Sequence, residues 1–178
     1  WLEYGVAPVR LGINLAAEQI QQHDFVAKFS ELLDELKIDP ALLEIEITEG
    51  TMVRDLSSTQ EKLSALSALG IKIAIDDFGM GYSSLSYLRT LPIHAIKIDR
   101  SFIADIKPDS DNTLVNAMML IGKGLGLRLI AEGVETQEQL AFLKANGCDE
   151  CQGYFISKPL NGEEVTRLLA SGRRLLAE

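Results

Sequence analysis

The feature that most limits what this chain can become is an alternation. Short runs rich in Ile, Val and Leu are separated, all along the sequence, by longer stretches with helical periodicity. Strands are expected at 9–14, 43–48, 71–76, 94–98, 128–132 and 151–155. Helices are expected at 16–37, with an interruption near His23-Asp24, and at 52–69, 83–91, 112–126, 137–146 and 163–176. Gly70, Pro92 and Gly147 mark helix ends and Thr136 marks a helix start.

A helix between every two strands forces neighbouring strands to run parallel, because a tight hairpin cannot connect them. The expected class is therefore α/β, a TIM-type (β/α)8 barrel. Such barrels typically run to about 250 residues. Six βα units in 178 residues make an incomplete barrel whose first strands are missing. The opening Trp1-Leu2-Glu3-Tyr4-Gly5 reads as the end of a helix, and the N-terminus as a cut. No Pro- or Ser-rich linker interrupts the series, so residues 1–178 are expected to form a single domain.

Composition narrows the function. A formal charge of −9 disfavours DNA or RNA polymers as partners, since those are held largely by Lys and Arg. No apolar run is long enough to span a bilayer and no signal-peptide pattern opens the chain. Cys148 and Cys151 form a lone C-x-x-C without a second pair or a histidine cluster, which supports neither a zinc site nor a disulfide framework. They are read as small packing residues in a reducing, cytoplasmic setting. The parent protein is left free to be membrane-anchored through upstream segments.

Period-two alternation then places the polar residues. Leu43, Ile45 and Ile47 share one face of their strand, and Glu44, Glu46 and Thr48 the other. Ile71, Ile73 and Ile75 oppose Lys72, Ala74 and Asp76, while Ile96 and Ile98 oppose Ala95, Lys97 and Asp99. An antiparallel sheet could turn such a polar face to water. Parallel pairing excludes that, because helices cover the apolar face and the polar face lines the barrel interior. Asn14, Glu46, Asp76, Asp77 and Glu132 fall at the C-terminal ends of different strands, with Lys97 the strong base expected among them. Crowded carboxylates either take up protons or find cations, and an all-oxygen set favours Mg2+ or Mn2+ over zinc. Asp76 and Asp77 cannot both point inward on a regular strand, so the chain is expected to turn there, as Phe78-Gly79-Met80-Gly81 suggests, and to bring both carboxylates to a shared site from two sides.

Six segments then carry a resemblance in order: Gly12-Ile13-Asn14-Leu15, Glu46-Ile47-Thr48-Glu49, Asp76-Asp77-Phe78-Gly79-Met80-Gly81-Tyr82-Ser83-Ser84-Leu85, Lys97-Ile98-Asp99, Ala131-Glu132-Gly133-Val134-Glu135 and Gln152-Gly153-Tyr154. Together they resemble the EAL-domain cyclic di-GMP phosphodiesterases over essentially the whole chain, as the C-terminal three-quarters of one domain. The resemblance implies hydrolysis of cyclic di-GMP to linear 5′-pGpG with two divalent ions. It implies that Asn14, Glu46 and Asp76 ligate the first ion, and that Asp76, Asp77 and Glu132 serve the second or its water. Lys97 would orient the nucleophile, so the catalytic set is Lys97, Glu132 and Asp77. Glu49 and Ser83 would tie down the loop after the paired aspartates, and Asp99, Glu135 and Gln152 would lie on the substrate and loop side. It further implies a homodimer through helices beside that loop, and an upstream sensory or GGDEF module.

Two departures stand out. The family's usual threonine in the aspartate loop is Met80 here, and the E-A-L tripeptide, whose glutamate would be a first-metal ligand, is absent from the sequence. The chain alone is accordingly expected to be inactive. The rival reading is a catalytically inactive cyclic di-GMP receptor, and a barrel acting on another phosphorylated small molecule is a third. His23 and His94 are read as structural or surface residues, and Met118 and Met119 as core filler.

Overall fold

A computed structural model describes residues 9–54, 56–81, 85–107 and 111–172. Six strands form one sheet, β1 (Leu11–Asn14), β2 (Leu43–Thr48), β3 (Lys72–Phe78), β4 (Ala95–Ile98), β5 (Arg128–Ala131) and β6 (Glu150–Cys151), ordered β1 to β6 and all parallel. Between them run helices α1 (Ala17–Ile20), α2 (Phe25–Leu36), α3 (Glu49–Arg54), α4 (Leu56–Ala68), α5 (Leu85–Thr90), α6 (Arg100–Ala104), α7 (Thr113–Gly124) and α8 (Gln137–Ala145), with α9 (Gly162–Ala170) last. The fold is an incomplete TIM-type barrel, a curled sheet of six strands wrapped by helices.

Alternation explains both surfaces of the sheet. Ile45, Ile47, Ile73, Ile75, Ile96, Ile98 and Leu129 are fully buried on the outer face beneath the helices. Gly122 of α7 brings that helix close, since a Cβ there would lie 2.4 Å from Leu129 and 2.8 Å from Ile96. Met118 and Met119 are buried on the same helix, as core filler. Inside, Ala74, Ala95 and Ile130 form a small separate apolar layer.

The curl is visible in what crosses it. Arg128 of β5 hydrogen-bonds Glu44 of β2, three strands away. Neighbouring strands lie about 4.8 Å apart, so a flat sheet would separate these strands by roughly 14 Å. Only a strongly concave inner face lets the two side chains meet.

Several boundaries follow their punctuation. The backbone turns left-handed at Gly70 (φ 102°) after α4 and at Gly147 (φ 69°) after α8. Thr136 caps α8 reciprocally with Gln139, and Asn161 caps α9 with Glu164. The interruption near His23 separates α1 from α2.

Two expectations change. The last strand is limited to Glu150–Cys151, because Gly153 (φ 155°) folds the chain against the loop after β5, where a Cβ would sit 2.2 Å from the Val134 carbonyl oxygen. Helix α6 was not expected; the Asp99 carboxylate caps it by accepting from Ser101 N–H at 2.9 Å. The turn at the paired aspartates falls within β3 itself, ahead of the glycines. The expected opening of the chain, Ser83 and the end of the last helix lie outside the described residues.

Candidate active site

β3 and β4 lose step where the acids sit. Ile75 pairs with Ile96 and Phe78 with Ile98, so Asp76 and Asp77 together oppose the single residue Lys97. This is a β-bulge, and Asp77 supplies its strained residue at φ 52°, a conformation Asp tolerates better than most residues. Two consequences follow. Asp76 and Asp77 both reach the inner mouth, and Phe78 is returned to the outer core, 4% exposed, where strict alternation would have turned it inward.

Lys97 is the hub of the mouth. Its Nζ stands 2.5 Å from Glu46 Oε2, 2.9 Å from Asp76 Oδ1 and 2.8 Å from Glu132 Oε1, with its side chain only 6% exposed. Burial alone would lower the lysine's pKa, but close contacts with the carboxylates of Glu132, Glu46 and Asp76 outweigh it and hold the ammonium well above its ordinary value. Lys97 is therefore a fixed positive charge, not a proton acceptor. Glu132 and Asp77 are both raised, in each case chiefly by burial. At Glu132 the Lys97 cation opposes the rise; at Asp77 the neighbouring Asp76 and Asp99 add to it.

One glycine makes the crowding possible. Gly12 faces inward on β1, and a Cβ there would lie 2.2 Å from Glu46 Oε1, so Glu46 leans into space that any side chain would fill. Glu49, 4% exposed at the start of α3, accepts the Gly79 N–H at 2.9 Å and so grips the loop after the bulge. Gln152 donates to Glu132 Oε1 at 2.6 Å. Asp99 is engaged with Ser101, and Glu135 lies exposed on a neighbouring cavity wall. Two cavities flank the hub. One of about 450 Å3 is lined by Asn14, Glu46, Thr48 and Thr51, and one of about 390 Å3 by Arg100, Glu132, Glu135, Gln152, Tyr154 and Lys158.

Asp76, Asp77 and Glu132 each offer an oxygen within 4.8 Å of the others, a spacing one cation can bridge. Asp76 Oδ1 is buried without a hydrogen-bond partner; its contact with Lys97 is electrostatic only. A buried carboxylate oxygen that makes no hydrogen bond, in an acid-rich, oxygen-only cluster, fits a divalent metal ion. Arg100, beside this cluster, was missed in the sequence; its position after Asp99, at the end of an inward-facing strand pattern, was the available signal.

Comparison with known proteins gives a consistent relationship. Residues 2–159 match the EAL domain family. The chain is 41% identical over 171 residues to the bifunctional diguanylate cyclase/cyclic di-GMP phosphodiesterase MucR of Pseudomonas aeruginosa, covering 96% of this chain and 25% of that protein. It is 40% identical over 153 residues to the cyclic di-GMP phosphodiesterase NbdA of the same organism, covering 85% of this chain and 20% of that protein. Among solved structures, the EAL domain of Mycobacterium smegmatis DcpA superposes with a TM-score of 0.91 at 38% identity, over 97% of this chain and 78% of that one. The Pseudomonas MucR phosphodiesterase in complex with c-di-GMP gives 0.87 at 40% identity, over 93% and 67%. The chain thus spans a quarter or less of the length of these curated relatives.

Proposed function

The chain belongs to the EAL domain family, and from that premise we propose that it is the hydrolytic part of a phosphodiesterase that opens cyclic di-GMP to linear 5′-pGpG. The observation that carries the reading is the mouth itself: Glu46, Asp76 and Glu132 gathered on Lys97, with Asp77 beside them and one buried oxygen that makes no hydrogen bond. Two cavities, one on each side, suit a ligand made of two nucleotide halves.

In this reading Asn14, Glu46, Asp76, Asp77 and Glu132 hold two Mg2+ or Mn2+ ions. Bound there, such ions lower the pKa of water and stabilise the attacking and leaving oxygens of a displacement at phosphorus. The chain's own residues do the rest. Lys97, kept protonated, orients the attacking water and offsets charge on the phosphate. Glu132 and Asp77 accept the water's proton as its oxygen bonds to phosphorus. The bond from phosphorus to the ribose 3′ oxygen breaks, and that oxygen takes up the proton the acids removed from water and leaves as a hydroxyl, giving a free 5′-phosphate. Gln152 fixes the Glu132 carboxylate and Glu49 fixes the loop beneath Asp77. Ser83 and Asp99 complete the loop side, and Glu135 faces substrate.

Attachment to a GGDEF or sensory module belongs to the same proposal, supported by the bifunctional relative, as does a homodimer beside the aspartate loop. We place the domain in the cytoplasm; its two cysteines are free thiols and, among the described residues, no helix is long and apolar enough to cross a membrane. The test is chromatography of cyclic di-GMP incubated with the intact protein, with Mg2+ and with EDTA. Metal-dependent linear product is expected. Tight binding with no product in either case would make the domain a receptor.

A further inference from the structure

The mouth gathers four carboxylates around Lys97, yet its proposed substrate is an anion, and Lys97 is already shared among three of those acids. Divalent ions held there would offset the acids and serve the phosphate being cleaved, which leaves the dinucleotide's other phosphate to a cation on the substrate side. We propose that Arg100 is that group: it binds a phosphate oxygen of the dinucleotide and sets how tightly substrate is held, an inference that rests on the phosphodiesterase reading above.

Arg100 is the first residue of α6, fixed there by the Asp99 cap. From the other side the loop after β5 presses on its stem. Gly133, at φ 69°, leaves room that a Cβ would take from Arg100 Cβ, 2.5 Å away. The start of the side chain is thus held by two elements while its end stays exposed. It lines the cavity of about 390 Å3 that also contains Glu132 and Gln152, so whatever fills that cavity beside the acids meets the guanidinium.

Arg100 spends its charge on no ion pair or hydrogen bond among the described residues. Its field is nonetheless felt at the centre, where it opposes the rise in the Asp77 pKa. Lys158 stands on the wall of the same cavity and adds a second positive charge. Of the two, arginine's planar fork is the better match to two phosphate oxygens at once, and its side chain is anchored at the cluster's edge.

The test uses the intact protein with cyclic di-GMP, comparing wild type, Arg100→Met and Arg100→Lys in steady-state kinetics across a range of NaCl concentrations. A charged hydrogen bond of this kind is worth roughly 1.5–3 kcal/mol, so Arg100→Met should raise KM about tenfold or more while kcat changes much less. Arg100→Lys should fall between. KM of the wild type should rise with salt, and that dependence should flatten in Arg100→Met, which a merely structural residue would not produce. A wild type that cleaves the dinucleotide while Arg100→Met keeps its KM, or keeps the full salt dependence, overturns the inference alone. A wild type that neither binds nor cleaves it takes down the functional reading and the inference together.

Discussion

Two ion clusters occupy the inner face of the same sheet, one at each end, and they are built on opposite principles. At the mouth, Lys97 serves Glu46, Asp76 and Glu132, Asp77 adds a further acid, and the Asp76 oxygen facing Lys97 makes no hydrogen bond. At the floor, Arg128 serves Glu44 and, at 2.8 Å, Glu150, with Arg10 adding positive field at Glu44. The floor is close to neutral and the mouth is not. A balanced buried cluster ties strands together, whereas an unbalanced one stores repulsion that a bound cation can relieve.

That contrast predicts opposite responses to substitution. The largest effect is at the mouth: Asp76→Asn in the intact protein should cut turnover of cyclic di-GMP at least about a hundredfold, by loss of a metal-organising acid. It should leave the melting temperature unchanged or raise it, because one of the crowded charges is gone. A fall in both would put the mouth in the same class as the floor. Gly12→Ala sharpens the point without touching an acid. Its new methyl would displace Glu46, and turnover should fall by up to about a hundredfold, the scale of a misplaced reacting group.

At the floor, Arg128→Met should cost about 2–3 kcal/mol in urea unfolding, somewhat under the range for a fully enclosed pair because the arginine is partly open to water. Once corrected for folded fraction, turnover should be close to wild type. The smallest effect is a pH trend. Burial, opposed by Arg128 and Arg10, raises the folded-state pKa of Glu44 above its ordinary 4.5, so the fold favours the protonated carboxyl. Its contribution to stability is full below about pH 4.5 and is lost as pH rises through the folded-state pKa. The stability of wild type relative to Glu44→Gln should therefore decline over that interval, and a flat difference would place Glu44 in water.

Much of this was legible because side-chain alternation is local. Ile45 and Ile73 announce the outer face, and Glu46, Asp76, Lys97 and Glu132 announce the inner one, before any coordinate is known. The six motifs did the same for family membership. What escaped depends on register and long-range approach. A turn at the paired aspartates was legible, but nothing in Ile75-Asp76-Asp77-Phe78 states that it would be made by two residues opposing one on β4. The pairing of Arg128 with Glu44 joins residues 84 apart and exists only once the sheet has curled. Gly12 looked like an unremarkable strand residue, since the Glu46 carboxylate that needs its empty side belongs to another strand. Helix α6 is only five residues long, too short for a periodic pattern, and its sign was the capping sequence Asp99-Arg100-Ser101.

The extra residue in β3 makes the number of acids at the centre a matter of backbone counting. Deleting either aspartate between Ile75 and Phe78 would let β3 and β4 run in step, with one carboxylate delivered and the aromatic ring still seated among the helices. A lineage could thus retire the chemistry by losing a single codon while keeping the barrel wall intact.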